Sequence, residues 1–405
     1  MSQHKQIRCV VGPETVRMLN LGHPWVIADR HTSRWPQFKN GSLIELVSEQ
    51  GVSLGTGVYD ADSRIVARRL SSQKIEFDPW LISRLEQAKV SRNRLDFGDT
   101  TVGRLVNAEG DGIPGLTVDR YNDYLMVQYF TSAWERYLPT LATALQEVFG
   151  PVGIYSKYRP QETRKLAAGK KARPPQSRLL LGQAPPDELI VRENGLLYRI
   201  DLLKDLHTGL FHDQRQNRLE FRRQAAGCRV LNLFSYTGAF SVVAAAGGAT
   251  QVTSVDASAR YLDWARENFR INGIDPEGHE FITGDCFVEL DRLSRAGRCF
   301  DLIFIDPPSF STTRKSRFTT SGGTADLVQK ALRLMTTGGL LVTSSNLQKM
   351  PLEGYLKELR KGSLAVGRQL QVIKVAGQAD DYPFTTSFPE GNYLKYVVSV
   401  VQDKV

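Results

Sequence analysis

Cysteine is scarce in this chain of 405 residues, and its four copies, Cys9, Cys228, Cys286 and Cys299, include no pair at C-x-x-C spacing. A structural zinc site, a redox pair and a disulfide framework are therefore not expected. The six histidines are scattered and read as surface or satisfied core residues, so no metal is expected either. Long apolar runs are missing: the longest small-and-apolar stretch, Ala239 to Ala249, falls well short of the roughly 18 residues a membrane helix needs. The opening MSQHKQIRCVVG has no apolar signal core, and a soluble cytosolic protein without a membrane partner is the expectation. Also lacking is the G-x-G-x-x-G fingerprint of a pyrophosphate loop, since Phe240 stands where a second glycine would follow Gly238. That disfavours a nicotinamide-dependent oxidoreductase.

What is present in excess is positive charge. Lys and Arg number 52 against 43 Asp and Glu, a net charge of +9 that favours a polyanionic partner such as nucleic acid. With 41% hydrophobic and 23% charged residues the chain is globular rather than disordered, and it is long enough for two or three domains.

Residues 1–72 read as a small β-rich domain, with Ser42 to Leu46 and a run from Gly57 to Val66 as strands between glycines. Residues 73–195 read as an α+β domain. It has helices from Pro79 to Arg94 and Trp134 to Phe149, and strands at Arg104 to Asn107, Leu116 to Arg120, Leu125 to Tyr129 and Gly153 to Tyr158. Its stretch 159–186 carries Arg164, Lys165, Lys170, Lys171, Arg173 and Arg178 between paired prolines, which predicts a basic loop able to track phosphates. Over 196–405 strand-like and helix-like runs alternate, from Arg229 to Phe234 through Leu302 to Asp306. Two further helices and late strands at Leu370 to Ala376 and Tyr393 to Val401 follow. That alternation predicts an α/β fold with a doubly wound, seven-stranded sheet and an antiparallel ending.

In such a sheet a ligand lies beyond the carboxyl ends of the strands. The first strand runs into Phe234-Ser235-Tyr236-Thr237-Gly238, where the glycine is read as letting backbone N–H groups approach a ligand. The second ends at Asp256-Ala257, where a carboxylate can accept both hydroxyls of a ribose. The third meets Asp285-Cys286, suited to an adenine edge, and the fourth ends in Asp306-Pro307-Pro308-Ser309-Phe310, a turn stiffened by its prolines. A ribose acid without a diphosphate loop points to a nucleoside ligand lacking phosphates, namely S-adenosylmethionine.

These strand-end residues stand with Gly22-His23-Pro24-Trp25, with Glu109 to Leu116 followed by Asp119-Arg120, with Thr208 to Arg215, and with Pro389 to Lys395. Together they resemble the bacterial large-subunit (23S) ribosomal RNA methyltransferases built from an N-terminal PUA domain, a middle α+β domain and a C-terminal class I, Rossmann-like methyltransferase domain. The resemblance spans nearly the whole chain. It implies S-adenosylmethionine as methyl donor, with Phe211, Gln214 and Arg215 joining the cofactor pocket, and ribosomal RNA, naked or in an assembly intermediate, as partner. Family members can dimerise, but no patch in the sequence shows it.

Cytosine carbon-5 members keep a cysteine after the strand that follows the Asp-Pro-Pro turn, because carbon 5 is a poor nucleophile until a thiolate adds at carbon 6. Asn346 holds that place here. Guanine-N7 enzymes of ribosomal RNA look similar at Leu233 to Gly238, at Phe304 to Ser311 and at Asn346, and a ring nitrogen with its own lone pair needs no covalent activation. The resemblance then implies Asp306 and Asn346 positioning the base, with Phe310 stacking on it. Carbon-5 chemistry and an inactive RNA-binding homologue are the alternatives.

Overall fold

The computed structural model describes residues 7–61, 63–159, 177–203, 207–308, 310–312 and 317–403, with side chains omitted for 310–312 and 317–322. The chain divides into two compact units, Met1–Leu189 with Asp201–Thr208 and Asp380–Gly391, and Ile190–Ile200 with Gly209–Ala379 and Asn392–Val405.

The first unit opens with β1 (Ile7–Val10), α1 (Pro13–Asn20), β2 (Trp25–Ile27), β3 (Leu43–Val47), β4 (Ser53–Tyr59) and β5 (Ile65–Ser71), whose strands order as β1-β3-β4-β5-β2. The proline that hides α1 in the sequence sits in its first turn, where the missing N–H would be unpaired anyway. The predicted single strand from Gly57 to Val66 is instead two strands and a reversal. The chain turns after Tyr59 because Asp60, fully buried, pairs back onto Arg68 of β5 at 2.7 Å. Next come α2 (Phe77–Arg92), β6 (Val102–Asn107), β7 (Leu116–Tyr121), β8 (Tyr124–Tyr129), α3 (Leu138–Phe149), β9 (Gly153–Tyr158) and β10 (Arg178–Gly182), a sheet ordered β10-β9-β8-β7-β6. The helix predicted from Trp134 begins four residues later, because Ser132–Tyr137 forms a tighter 3-10 turn before Pro139 in the first turn of α3. The predicted basic loop 159–186 ends in an edge strand, β10, antiparallel to β9; its residues 160–176 lie outside the described ones.

Buried ion pairs tie the glycine-rich stretch 109–120 in place beside the core packing of Ile113, Leu116 and Val118. Arg92 grips both oxygens of Asp111 at 2.5 and 2.7 Å, and Arg104 pairs with Asp119. Asp381 accepts the Arg104 N–H at 2.7 Å, and Trp25 donates its indole N–H to Glu109 at 2.8 Å.

The second unit begins with the hairpin β11 (Leu189–Glu193) and β12 (Leu196–Ile200), closed by Asn194-Gly195, both at positive φ as its right-handed twist demands. After α4 (Arg215–Gln224) the doubly wound pattern runs β13 (Arg229–Leu233), α5 (Ala239–Ala246), β14 (Gln251–Asp256), α6 (Ala259–Ile271), β15 (Glu280–Thr283), α7 (Cys286–Arg295) and β16 (Phe300–Ile305). A small hairpin, β17 (Phe310–Thr312) and β18 (Arg317–Thr319), leads to α8 (Thr320–Leu332), β19 (Met335–Ser345), α9 (Leu352–Leu364), β20 (Arg368–Ala376) and β21 (Lys395–Asp403). The seven strands order as β15-β14-β13-β16-β19-β21-β20, the first five parallel and β21 antiparallel to both of its neighbours. This is the expected class I architecture. Strands such as β13 and β16 read as apolar runs because helices cover both sheet faces. Strand order reverses at β13, with β14 on one side and β16 on the other, which opens a crevice at their carboxyl ends.

Candidate active site

The turn after β13 is strained and internally tied. Phe234 and Tyr236, neither of them glycine, sit at φ 57° and 51° and Gly238 at 75°, a conformation that persists only where surroundings hold it. The surroundings are named bonds. The Phe234 N–H reaches Cys286 Sγ at 3.4 Å, Ser235 N–H reaches the Val255 carbonyl at 3.0 Å, Tyr236 N–H reaches Asp256 at 2.9 Å, and Gly238 N–H reaches the Ser235 carbonyl at 2.8 Å. Those donors are spent within the chain, and a Cβ at Gly238 would meet Ala265 Cβ of α6 at 2.7 Å, so the glycine serves helix packing and positive φ. The turn is no anion nest, in keeping with a ligand that carries no phosphate.

Asp256 holds this turn with both oxygens, one on the Tyr236 N–H and one on the Ser258 N–H at 2.9 Å each. Burial raises its pKa, and the two backbone bonds oppose that. A carboxylate has about four acceptor positions, so two remain for hydroxyl donors. Ala257 beside it is exposed. Asp285 proves to be the N-cap of α7, accepting the Phe287 N–H at 3.0 Å. Cys286 is 3% exposed and packs in the core under the sheet, where desolvation holds its thiol far above the ordinary value. Its side chain packs the core and supports the turn.

Two elements of the predicted pocket lie on the far side of β13. Asp306 follows Ile305, whose partner in β19 is Thr343, so it stands beside Ser344. Gln214, buried at the entrance to α4, donates its amide to Ser344 Oγ at 2.8 Å and to Asp306 at 3.3 Å, and receives Asn217 at 2.7 Å. The sequence reading had given Gln214 to the cofactor; here it is a strut between helix and strand ends. Burial pushes Asp306 up to about 6; Ser344 and Gln214 hydrogen bonds and Arg218 hold it down, while Asp213 raises it further. Pro307 is buried and Pro308 exposed, and Asn346 emerges exposed just past the end of β19. Ser309 and the Phe310 side chain lie outside the described residues, so its stacking role is not addressed. Arg215 is buried. Phe211, 44% exposed, lies 5.4 Å from the Tyr236 ring, which packs edge-on against Tyr261 at 4.5 Å.

Sequence reasoning missed four contributors. Asp213 accepts Tyr393 Oη–H at 2.6 Å, and its other carboxylate oxygen is buried with no hydrogen bond among the described residues. Lys395 donates to the Leu347 and Tyr393 carbonyls at 2.6 and 2.8 Å, clamping the segment that carries Asn346. Asp213, Tyr393 and Lys395 all lie in stretches already singled out by resemblance, which was the available signal. Arg218 forms a buried two-pronged pair with Glu193 at 2.7 and 2.8 Å; nothing in a 25-residue separation announces it.

A family model of S-adenosylmethionine-dependent methyltransferases matches residues 104–366. The chain belongs to this family. A PUA-like domain model matches residues 10–72 of the methyltransferase. Over 396 residues it is 34% identical to ribosomal RNA large subunit methyltransferase I of Yersinia pseudotuberculosis serotype O:1b (strain IP 31758), covering 96% of this chain and 98% of that one. A solved methyltransferase complexed with SAH matches at TM-score 0.87 and 28% identity, covering 98% of this chain and 100% of that chain. A SAM-dependent methyltransferase from Streptococcus mutans matches at 0.84 with the same identity and coverage.

The residues present fit S-adenosylmethionine. Ser235 Oγ is buried with no partner among the described residues, Asp256 keeps acceptor capacity, and the exposed Phe211 ring offers an apolar face beside the turn. When bound, the cofactor supplies an electrophilic methyl group on a sulfonium.

Proposed function

We propose that this methyltransferase modifies a base of large-subunit ribosomal RNA at a ring nitrogen, with guanine N7 favoured, and without a cysteine nucleophile. One observation carries the choice of atom: no thiol is available at the carboxyl edge of the sheet. Cys228 and Cys299 precede β13 and β16, at the amino ends of parallel strands. Cys286 stands at the correct edge but is buried, its thiol held neutral by desolvation. Cys9 belongs to the other unit, and burial pushes it up to about 12. The thiolate is the nucleophile that carbon-5 chemistry needs.

In this reading Asp256 and Ser235 hold the cofactor's ribose side and Phe211 flanks its adenine. Asp306 accepts a hydrogen bond from an exocyclic amine, and Asn346, held by the Lys395 clamp, orients the same base. Guanine N7 brings its own lone pair, so alignment at near-attack distance is the main task left to these groups. Residues 1–72 are proposed as the RNA-gripping module, 73–195 as the middle domain and 196–405 as the catalytic one. The relatives' substrate supports ribosomal RNA here, which locates the work in the cytoplasm. Naked RNA or an assembly intermediate suits an enzyme that must swing a base out of its stack. Nothing in the mechanism needs a second copy of the chain.

The test is mass spectrometry of nucleosides from large-subunit ribosomal RNA of a deletion strain, before and after treatment with purified protein and S-adenosylmethionine. Loss and return of one methylated guanosine is expected. Loss of 5-methylcytidine instead would overturn the choice of atom, and no change would overturn the substrate.

A further inference from the structure

A cleft of about 420 Å³ in the first unit is lined by β5, α2, the glycine-rich turn at 109–112 and the segment at 385–387. Two of its walls carry arginines that no acid partners. Arg69, half-buried in β5, makes no side-chain hydrogen bond or ion pair among the described residues. Burial alone lowers its pKa, with no carboxylate opposing the shift. Arg84 of α2 donates only to Gln87 at 3.1 Å, and its guanidinium lies about 3.5 Å below where a Cβ would stand on Gly112.

The two acids in the cleft are already engaged. Glu109 accepts the Trp25 indole, and Asp111 is held by Arg92 and by the Asn107 N–H. Both arginines are part-buried, so each is partly desolvated and an anion docked beside it would regain charge-assisted hydrogen bonds. Hydroxyls of Ser71, Ser72, Thr385 and Ser387 line the same space, and no aromatic ring does. With Asp111 neutralised by Arg92, the cleft sets Arg69 and Arg84 and its hydroxyls against the one carboxylate of Glu109, and without a stacking platform that suits a sugar-phosphate backbone rather than a base.

We propose that this cleft holds a phosphodiester of the RNA substrate, gripped by Arg69 of β5 and Arg84 of α2. The assignment rests on RNA being the substrate. Its role is to fix register: a phosphate held outside the catalytic unit carries no sequence information but sets which nucleotide is presented.

The experiment measures binding of purified large-subunit ribosomal RNA across a salt series for wild type, Arg69→Gln, Arg84→Gln, Arg69→Lys and, as a charge control, the exposed Arg64→Gln. Melting temperature and S-adenosylmethionine affinity are recorded for each variant. Each cleft glutamine variant should weaken RNA binding roughly tenfold and flatten the slope of log K against log salt by about 0.7 to 0.9, one lost phosphate contact. Arg69→Lys should recover most of the slope, and cofactor affinity should stay unchanged. Cleft variants indistinguishable from Arg64→Gln would overturn the subsite alone; a wild type that binds no ribosomal RNA would overturn the substrate reading and the subsite with it. Inorganic phosphate at millimolar concentration should compete with RNA for wild type and less so for Arg69→Gln. A site that takes free phosphate while RNA binding is indifferent to both arginines would also overturn the proposal.

Discussion

Replacing Asp306 with asparagine should make the methyltransferase more stable while abolishing methyl transfer. Burial raises the carboxyl from its ordinary 3.8 to about 6, and at 1.36 kcal/mol per unit the ionised form is held at a cost of about 3 kcal/mol. The sign follows from proton counts. Between pH 3.8 and about 6 the folded state holds the proton that the unfolded state has lost, so wild-type stability falls with rising pH across that window and the cost is complete above it. Asparagine keeps the shape, still receives Gln214, and never ionises. The variant should therefore gain about 2 to 3 kcal/mol at pH 8, roughly 5 to 10 °C in melting temperature for a unit of some 200 residues. The gain should vanish below about pH 4. Differential scanning fluorimetry from pH 4 to 8, with single-turnover methylation alongside, reads both properties. A stability difference that does not change with pH, or a variant less stable at pH 8, would refute the reasoning, and full methylation by Asp306→Asn would remove the carboxylate from the chemistry.

Asp256→Ala should weaken S-adenosylmethionine binding by at least tenfold in calorimetry, because it removes a proposed ribose acceptor and also frees the Tyr236 N–H that holds the strained turn. Asp306→Ala in the same assay should leave cofactor affinity within about twofold, since its place is beyond β16 rather than at the ribose. Gly238→Ala forces a side chain into positive φ and to 2.7 Å from Ala265, and should cost roughly 2 to 4 kcal/mol in denaturant unfolding; an unaltered midpoint would contradict that geometry. Cys286→Ala should retain methylation, with only a modest loss of stability of about 1 to 2 kcal/mol; an inactive but folded variant would reinstate it as a nucleophile.

Over 229–306 the sequence by itself determined the order of elements and where the candidate site residues fall at the strand ends. Its apolar runs are long and regular because a parallel sheet is buried on both faces, and periodicity reports burial directly. The runs read at Arg229 to Phe234 and Leu302 to Asp306 form strands β13 and β16, and Asp256 and Asp306 emerge at strand ends as expected. The tertiary structure alone decided what each strand-end group is bonded to. Gly238 packs against a helix, Asp285 caps one, and Gln214 braces Asp306 across 92 residues of chain. It also decided that Arg69 and Arg84 share a cleft in which neither forms an ion pair. Periodicity carries which face of an element is buried, whereas hydrogen-bond partners and desolvation arise from residues far apart in sequence, whose meeting no local pattern records.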